Sequence, residues 1–251
     1  MDTRRTLLVD AFTDDPLAGN AAGVVPEADG LSATQMQAIA RELGASETAF
    51  LSTTDDADRR IRYFTPAQEV DLCGHATIAS HALLAADGAI EPGTHTLATN
   101  VGILDIELQD DGIVWMTQSR PAVETVAVDY DRVADALRID AARLKDVGAD
   151  LPIARATTGL PFLIVPVNFL EGLSGVQPDL GAIEALADEH DATGIYAFTF
   201  DTLDAESTLH ARMFAPGAGV DEDPVTGTAS GACGAYLDAY EAFDELPEVL
   251  R

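Results

Sequence analysis

The sequence is poor in basic residues, and lysine is almost absent. Only 14 Lys and Arg residues stand against 43 Asp and Glu residues, which gives a formal net charge of -29 at pH 7, and Lys145 is the one lysine. So negative a chain disfavours nucleic acid or an anionic membrane as a partner, because both are themselves negatively charged. Salt screens the repulsion between like charges, so we interpret this composition as halophilic, an adaptation to a high-salt cytoplasm.

Cysteine and long apolar stretches are scarce as well. Cys73 and Cys233 are the two cysteines, and no His or Cys lies at metal-ligand spacing from them. We therefore expect neither a structural disulfide nor a metal site. No apolar stretch is long enough for a membrane helix, and the short apolar run after Arg4 and Arg5 is too short for a signal peptide. These features predict a cytoplasmic protein.

The chain repeats itself at a distance of about half its length. Residues 62–66 (RYFTP) and 74–84 (GHATIASHALL) match residues 212–216 (RMFAP) and 227–237 (GTASGACGAYL) at Arg, Phe, Pro, Gly, Ala and Leu positions. A weaker match of Ala49-Phe50 to Ala197-Phe198 makes Ile195 the counterpart of Glu47. The repeat predicts an N-terminal half over residues 1–117, a linker or start of the second half over 118–150, and a C-terminal half over 151–251.

Local signals predict the elements of each half. Ser32 and Gln35 form a capping box, and Gly44 ends the helix that follows. Strands are expected over 47–52 and 61–64, an alanine-rich helix from Gly74, and a hairpin within 96–116. The second copy reaches its last residue before any equivalent of 96–116, so we expect the C-terminal half to lack its closing strands.

Two helices of the repeat begin at a glycine, Gly74 and Gly227. The first turn of a helix carries unpaired N–H groups and the positive end of the helix dipole, so two such turns could together hold one anion, for which a substrate carboxylate is the natural candidate. Alternatively, each glycine merely permits a tight turn between strand and helix. The occurrence of the turn in both halves favours a shared site.

Two acidic residues stand near these turns without a counterpart in the other half. Glu47 follows the carboxyl end of a helix beside apolar residues, a setting that suits a general acid/base. Asp223 lies where the second copy is three residues longer than the first. The two could form a catalytic pair facing one cleft, or each could be one more solvated surface acid.

The motifs taken together resemble the phenazine biosynthesis PhzF-like family. They are LAGN (17–20), SETAF (46–50), FTP (64–66), DLCGHAT (71–77) and EDPVTGTA (222–229). The resemblance implies an α/β fold of the diaminopimelate epimerase type, with two pseudo-twofold-related halves that each wrap a sheet around a central helix. It also implies a homodimer.

The resemblance further implies an isomerase that moves a proton on a small carboxylate-bearing substrate. Glu47 would be the general acid/base in the cleft between the halves, and His75 and Asp223 would hold the polar groups of the substrate. The anion would be bound by Gly74, Gly227 and Thr228, and Asn20 is a further candidate for substrate binding. No cofactor is expected, which agrees with a sequence that has no GxGxxG turn, Walker loop or Schiff-base lysine. Thr228 and Ala76 depart from the phenazine enzyme, which leaves the substrate open.

Two other functions compete with this one. Racemases of the same fold use one cysteine from each half, and Cys73 occupies the first of these places while Thr226 occupies the second. A threonine hydroxyl cannot replace a thiolate, so we interpret Cys73 as a small buried residue rather than a catalytic thiol. The other alternative is a small-molecule binding protein without turnover, which would have no need of a protonatable Glu47.

Overall fold

The protein consists of two compact units, residues 1–117 and 118–251. The computed structural model describes residues 3–13, 15, 17–145, 147, 150–247 and 249–250. Within these residues, no helix has the length and apolar character that crossing a membrane requires.

The N-terminal unit is a strongly curved sheet with two helices. Its strands are β1 (Leu7–Ala11), β2 (Asn20–Val25), β3 (Thr48–Ser52), β4 (Arg59–Phe64), β5 (Glu69–Val70), β6 (Gly93–Thr99), β7 (Gly102–Leu108) and β8 (Val114–Met116). Its helices are α1 (Ala33–Leu43) and α2 (Gly74–Ala86). The strand order is β1-β2-β3-β4-β6-β7-β8, and the short β5 pairs with β4. The β2–β3 and β4–β6 pairs are parallel, and the other pairs are antiparallel.

Helix α2 forms the centre of this unit. It contacts β1, β2, β3 and β8, and half of its buried residues are alanine, serine or threonine. Small side chains let a helix approach strands closely on several sides, which is what a sheet wrapped around one helix requires. Ala49 and Leu51 point into the core around α2, whereas Phe50 packs on the opposite face of the sheet with Met36 of α1.

The local predictions for α1 are confirmed. The Ser32 side chain accepts from the Gln35 N–H, and the Gln35 side chain accepts from the Ser32 N–H, which is a complete capping box. Gly44 adopts the left-handed conformation (φ 67°) at the end of the helix. The loop that follows, residues 45–47, therefore has a fixed starting direction.

The C-terminal unit has a second sheet with helices on both faces. Its strands are β9 (Ala122–Thr125), β10 (Ala154–Thr157), β11 (Pro161–Pro166), β12 (Gly194–Thr199), β13 (His210–Ala215) and β14 (Val220–Asp223). Its helices are α3 (Tyr130–Leu137), α4 (Ala142–Lys145), α5 (Leu170–Ser174), α6 (Leu180–Glu189) and α7 (Gly227–Ala239), and one 3-10 turn spans Pro216–Ala218. The strand order is β14-β13-β12-β11-β10-β9. Residues 118–150 thus contribute β9, α3 and α4 to this unit.

Helix α7 takes the central position here that α2 has in the first unit. It packs on β9, β10 and β11, and Tyr196, Phe198 and Cys233 lie in the core that it shares with the sheet. A second core lies on the other face of the sheet, between the strands and helices α3, α5 and α6. The described residues that follow α7 contain no strand, so nothing in them corresponds to β6, β7 and β8.

The repeat seen in the sequence is preserved in the side-chain contacts. Arg62 on β4 pairs with Glu69 through two hydrogen bonds of 2.7 and 2.6 Å, and its guanidinium lies 5.2 Å from the centre of the Phe64 ring. Arg212 on β13 pairs with Glu222 through two hydrogen bonds of 2.6 and 2.9 Å, and lies 5.1 Å from the Phe214 ring. Each unit therefore holds its central hairpin with the same ion pair and the same cation–π contact.

One detail of the predicted repeat is wrong. Phe50 pairs with Arg62 in the first unit, but Ala197, not Phe198, pairs with Arg212 in the second. The match of Ala49-Phe50 to Ala197-Phe198 is thus shifted by one residue, because alternate strand residues face opposite sides and the two Phe rings lie in different cores. In the corrected register the counterpart of Glu47 is Gly194 rather than Ile195.

Candidate active site

The start of α2 is open to a ligand. Its N-cap residue, Cys73, has extended backbone angles (φ -144°, ψ 118°) and makes no side-chain capping hydrogen bond. A Cβ added to Gly74 would meet no atom within 4 Å. A helix start without a side-chain cap, and with room beside its glycine, is suited to receive an anion.

Glu47 lies between α1 and β3. Its backbone carbonyl accepts a hydrogen bond of 2.9 Å from the Gly23 N–H of β2, which fixes the residue at the start of β3. Its side chain is 14% exposed. A carboxylate in this position is anchored by its backbone yet keeps a small contact with solvent.

Glu47, Cys73 and His75 form a group that we call the N-terminal cluster. His75 is buried, and its Nε2 lies 3.5 Å from Glu47 Oε2 and 3.4 Å from Ser46 Oγ. The other ring nitrogen, Nδ1, lies 3.5 Å from Cys73 Sγ. The imidazole thus stands between a carboxylate and a thiol. Such a group can carry, orient or exchange a proton in a largely desolvated place.

The start of α7 carries a different set of side chains, Asp223, Thr226 and Thr228, which we call the C-terminal cluster. Thr226 is the N-cap residue and makes no side-chain capping bond to its helix, because its hydroxyl donates to Asp223 Oδ2 instead. Asp223 ends β14 and is partly buried, and Thr228 is buried in the first turn. A hydroxyl and a carboxylate are suited to binding polar groups of a ligand.

Two residues that the sequence analysis missed hold this second helix start. Gln118 Nε2 donates to the Gly227 carbonyl over 2.9 Å, and Thr158 Oγ1 donates to the Thr228 carbonyl over 3.1 Å. Thr158 Oγ1 also bonds to Gln118 Oε1. Gln118 and Gly227 lie 109 positions apart, so no local pattern could have identified the contact.

The predicted site residues fall into two sets. Asn20, Glu47, Gly74 and His75 belong to the N-terminal unit, where Glu47 and His75 are in contact and Gly74 lies between Cys73 and His75. Asn20 is buried at the first position of β2, opposite Ala11 of β1. The second set, Asp223, Gly227 and Thr228, belongs to the C-terminal unit, around the start of α7.

Neither cysteine forms a disulfide. Cys73 and Cys233 are both buried thiols. Burial raises the pKa of the Cys233 thiol well above its usual range, and the residue lies in the middle of α7 within the core. Cys233 is therefore a packing residue, and Thr226 occupies the helix start where a second catalytic cysteine would have to stand.

Comparison with known proteins shows the family to which this chain is related. Residues 9–249 match the family described as phenazine biosynthesis-like protein. This chain belongs to that family. Among the solved structures of the PhzF family, that from Bacillus anthracis superposes with a TM-score of 0.88 at 37% identity, covering 96% of this chain and 81% of the other.

Curated relatives of the phenazine biosynthesis-like family carry the names of isomerases. "Uncharacterized isomerase YfhB" of Bacillus subtilis is 40% identical over 245 residues, 96% of this chain and 83% of the relative. The trans-2,3-dihydro-3-hydroxyanthranilate isomerase of Pseudomonas chlororaphis is 33% identical over 241 residues, 92% of this chain and 78% of the relative. A probable proline racemase from Agrobacterium radiobacter has a TM-score of 0.58 at 15% identity over 96% of this chain and 78% of the other, which shows a shared fold only.

Proposed function

We propose that this protein is a cofactor-independent isomerase or epimerase that moves a proton on a small carboxylate-bearing substrate, with Glu47 as general acid/base. The observation that carries the proposal is the contact of 3.5 Å between Glu47 Oε2 and His75 Nε2, beside the open start of α2. A carboxylate that could carry a proton therefore lies beside a helix start that could bind an anion. Membership of a family whose curated relatives are named isomerases supports the same conclusion.

In the proposed reaction, Glu47 accepts a proton from a substrate carbon. The electrons of the broken C–H bond move into the adjacent unsaturated system, and the protonated Glu47 then returns the proton to a carbon of the substrate. No net electrons are gained or lost, so the balance of the reaction requires no electron carrier. His75 would keep the carboxylate oriented through its Nε2, since both side chains are largely shielded from water.

The substrate carboxylate would bind at the first turn of α2. The open space at Gly74 leaves room for it, and the N–H groups and dipole of a 13-residue helix favour a negative charge there. Contributions of Asn20, Asp223, Gly227 and Thr228 to the binding of the same substrate stay a prediction. The Pseudomonas chlororaphis relative supports the substrate class, because the hydroxyanthranilate in its name carries a carboxylate.

A cysteine-dependent racemase is the second candidate, because Cys73 Sγ lies 3.5 Å from His75 Nδ1 at a helix start. A racemase of this kind needs a second base on the opposite face of the reacting carbon. The equivalent position holds Thr226, whose hydroxyl is engaged by Asp223. We therefore favour Glu47 as the proton carrier. A binding protein without turnover, the third candidate, is separated from both by the experiment that follows.

The test is a screen of small cyclic and amino-acid carboxylates in D2O, followed by NMR, after exhaustive dialysis against a chelator. The proposal expects at least one compound to be isomerised with solvent deuterium at the new C–H position. Compounds that bind without isomerisation or deuterium exchange would indicate a binding protein. Turnover that is lost on dialysis and restored by a nicotinamide, a flavin or a metal would contradict a cofactor-independent reaction.

The proposal also includes salt adaptation, cellular location and oligomeric state. The net charge of -29 supports a halophilic protein. That the protein is a cytoplasmic homodimer stays a prediction from the sequence and its family resemblance. Sedimentation in molar potassium chloride would measure the oligomeric state. A single species at the 26.4 kDa of one chain would contradict the homodimer.

A further inference from the structure

The N-terminal cluster has the composition and spacing of a metal-ligand set. Glu47, Cys73 and His75 each present one ligand atom, and these atoms all lie within 4.8 Å of one another. His75 Nε2 is 3.5 Å from Glu47 Oε2 and 4.0 Å from Cys73 Sγ. In a tetrahedral zinc site, bonds of about 2.0 to 2.3 Å separate neighbouring ligand atoms by roughly 3.3 to 3.6 Å. The Glu47–His75 pair already has this separation, whereas Cys73 Sγ would have to move closer to His75 Nε2 by about half an ångström.

The chemistry of the three ligands selects the cation. A thiolate, an imidazole and a carboxylate suit borderline-soft ions such as Zn²⁺ or Co²⁺, whereas Mg²⁺ and Ca²⁺ prefer oxygen ligands alone. The thiolate and carboxylate together would carry two negative charges, which a divalent cation neutralises in a buried place. Three protein ligands also leave one coordination position for water or for a substrate oxygen.

We infer that Glu47, Cys73 and His75 bind one Zn²⁺-class cation, and that this cation inhibits the enzyme. The inhibition rests on the proposed function, because a metal bound to Glu47 Oε2 occupies the carboxylate that would accept the proton. The binding itself depends only on the geometry of the cluster. The sequence suggested no such site, since Cys73 and His75 are two residues apart and Glu47 joins them only through the fold.

Cobalt is the probe that tests the site directly. Thiolate-bound Co²⁺ gives an intense sulfur-to-metal charge-transfer band in the near ultraviolet, and low-coordinate Co²⁺ gives visible bands that octahedral aqueous Co²⁺ lacks. Purified protein is titrated with Co²⁺ in molar potassium chloride, with a reductant that does not bind metal. Excess Mg²⁺ is present to saturate the many surface carboxylates. The expected result is a band that saturates at one cobalt per chain and is abolished by one equivalent of Zn²⁺.

Cys73→Ser and Cys233→Ser form a matched pair for this titration, because both residues are buried cysteines and only Cys73 belongs to the cluster. Cys73→Ser should lose the charge-transfer band and bind Co²⁺ at least about 10-fold more weakly, because even the loss of a residue that only hydrogen-bonds to a metal ligand weakens metal binding by about 10- to 100-fold. Cys233→Ser should keep the wild-type spectrum. Absence of the band in the wild-type protein, or a band that survives in Cys73→Ser, would overturn the inference.

Turnover in the presence of Zn²⁺ separates the two proposals. If both are right, one equivalent of Zn²⁺ stops isomerisation and a chelator restores it. If the cobalt band forms but Zn²⁺ leaves turnover unchanged, the metal site stands and the role of Glu47 in proton transfer is wrong. If turnover is normal and no band forms, the metal site is wrong and the proposed function is untouched.

Discussion

The two units of this protein share a framework but differ at the position of the proposed proton carrier. In the first unit that position is Glu47, at the start of β3, and in the corrected register its counterpart at the start of β12 is Gly194. A Cβ on Gly194 would overlap the Phe214 carbonyl oxygen and come within 2.9 Å of Ala215 Cα. The backbone of β13 thus leaves no room for any side chain at this place in the second unit.

The comparison teaches where a duplicated fold is free to change. The pairs Arg62–Glu69 and Arg212–Glu222 are equivalent, and each holds the hairpin that leads to a central helix. The side chains at the two helix starts differ instead. The first start has a thiol, an imidazole and a carboxylate in contact, and the second has hydroxyls and Asp223. The framework residues are shared by the two units, and the side chains that differ lie at the turns where the central helices begin.

The largest expected effect is on proton transfer. Glu47→Gln keeps the shape of the side chain but cannot exchange a proton, so it should lower kcat by roughly 10² to 10⁴-fold, the usual contribution of a general acid/base. Asp223→Asn, the comparison in the other unit, should act mainly on KM, because we assign Asp223 to binding. Steady-state kinetics on a substrate found by the screen measures both. A larger loss of kcat in Asp223→Asn would reverse the comparison.

The next effect concerns the stability of the second unit. Gly194→Ala forces β12 and β13 apart, so the free energy of unfolding should fall by about 3 kcal/mol, the upper range for an overpacked site. Gly74→Ala is the matched control, because its new Cβ meets nothing within 4 Å, and it should change stability by less than about 0.5 kcal/mol. Urea unfolding followed by circular dichroism measures both. If Gly194→Ala lowered the free energy of unfolding no more than Gly74→Ala does, the backbone around residue 194 would accommodate a Cβ without destabilisation, and the prediction would be wrong.

Substitution of the two equivalent arginines, Arg62 and Arg212, should lower the free energy of unfolding by different amounts. Arg212 donates not only to Glu222 but also to the Leu173 and Val176 carbonyls, at 3.2 and 2.9 Å, so Arg212→Ala should destabilise by about 2 kcal/mol. Arg62→Ala should lower the free energy of unfolding by about 1 kcal/mol, since Glu69 is the one residue in the described part of the chain whose oxygens accept from Arg62.

Arg132→Ala provides the surface control for this pair of variants. Its partner Glu189 is about half exposed, as Arg132 is, so solvent screens the pair and Arg132→Ala should unfold at nearly the wild-type urea concentration. Trp115, the one tryptophan, lies in the N-terminal unit and its fluorescence follows the unfolding of that unit. Arg62→Ala should shift the Trp115 transition more than Arg212→Ala does. A shift of the opposite order would mean that the two units unfold as one.

Salt should affect the two units alike. Residues 1–117 have 19 acidic and 6 basic residues, and residues 118–251 have 24 acidic and 8 basic residues. The repulsion between negative charges should therefore be similar within the two units. Lowering potassium chloride from molar to tens of millimolar should destabilise the protein by on the order of 1 kcal/mol, or about 2 to 4 °C in Tm. Tm by circular dichroism and by Trp115 fluorescence should fall together. An unchanged Tm would remove the halophilic interpretation.

The sequence was sufficient for features that depend on neighbouring residues. The Ser32 capping box, the Gly44 stop and the two glycine-led helix starts all follow from local chemistry, and the repeat identified Arg62 and Arg212 as equivalent. Features that depend on distant contacts were missed. The hydrogen bond from Gln118 to the Gly227 carbonyl joins residues that are far apart in the sequence. The steric clash that a side chain at position 194 would cause involves two separate strands, β12 and β13. The shift of Ala197-Phe198 by one residue went unnoticed, because strand register is set by the pairing of whole strands.

The central claim is that Glu47, and not its neighbour Cys73, carries the proton. The most direct test measures deuterium incorporation from D2O into the product of Cys73→Ser, beside Glu47→Gln and the wild-type protein. A packing role for the thiol predicts that Cys73→Ser incorporates deuterium within about 10-fold of the wild-type rate, while Glu47→Gln loses at least about 100-fold. A Cys73→Ser variant without exchange beside an active Glu47→Gln would contradict the account and place this protein with the cysteine-based racemases.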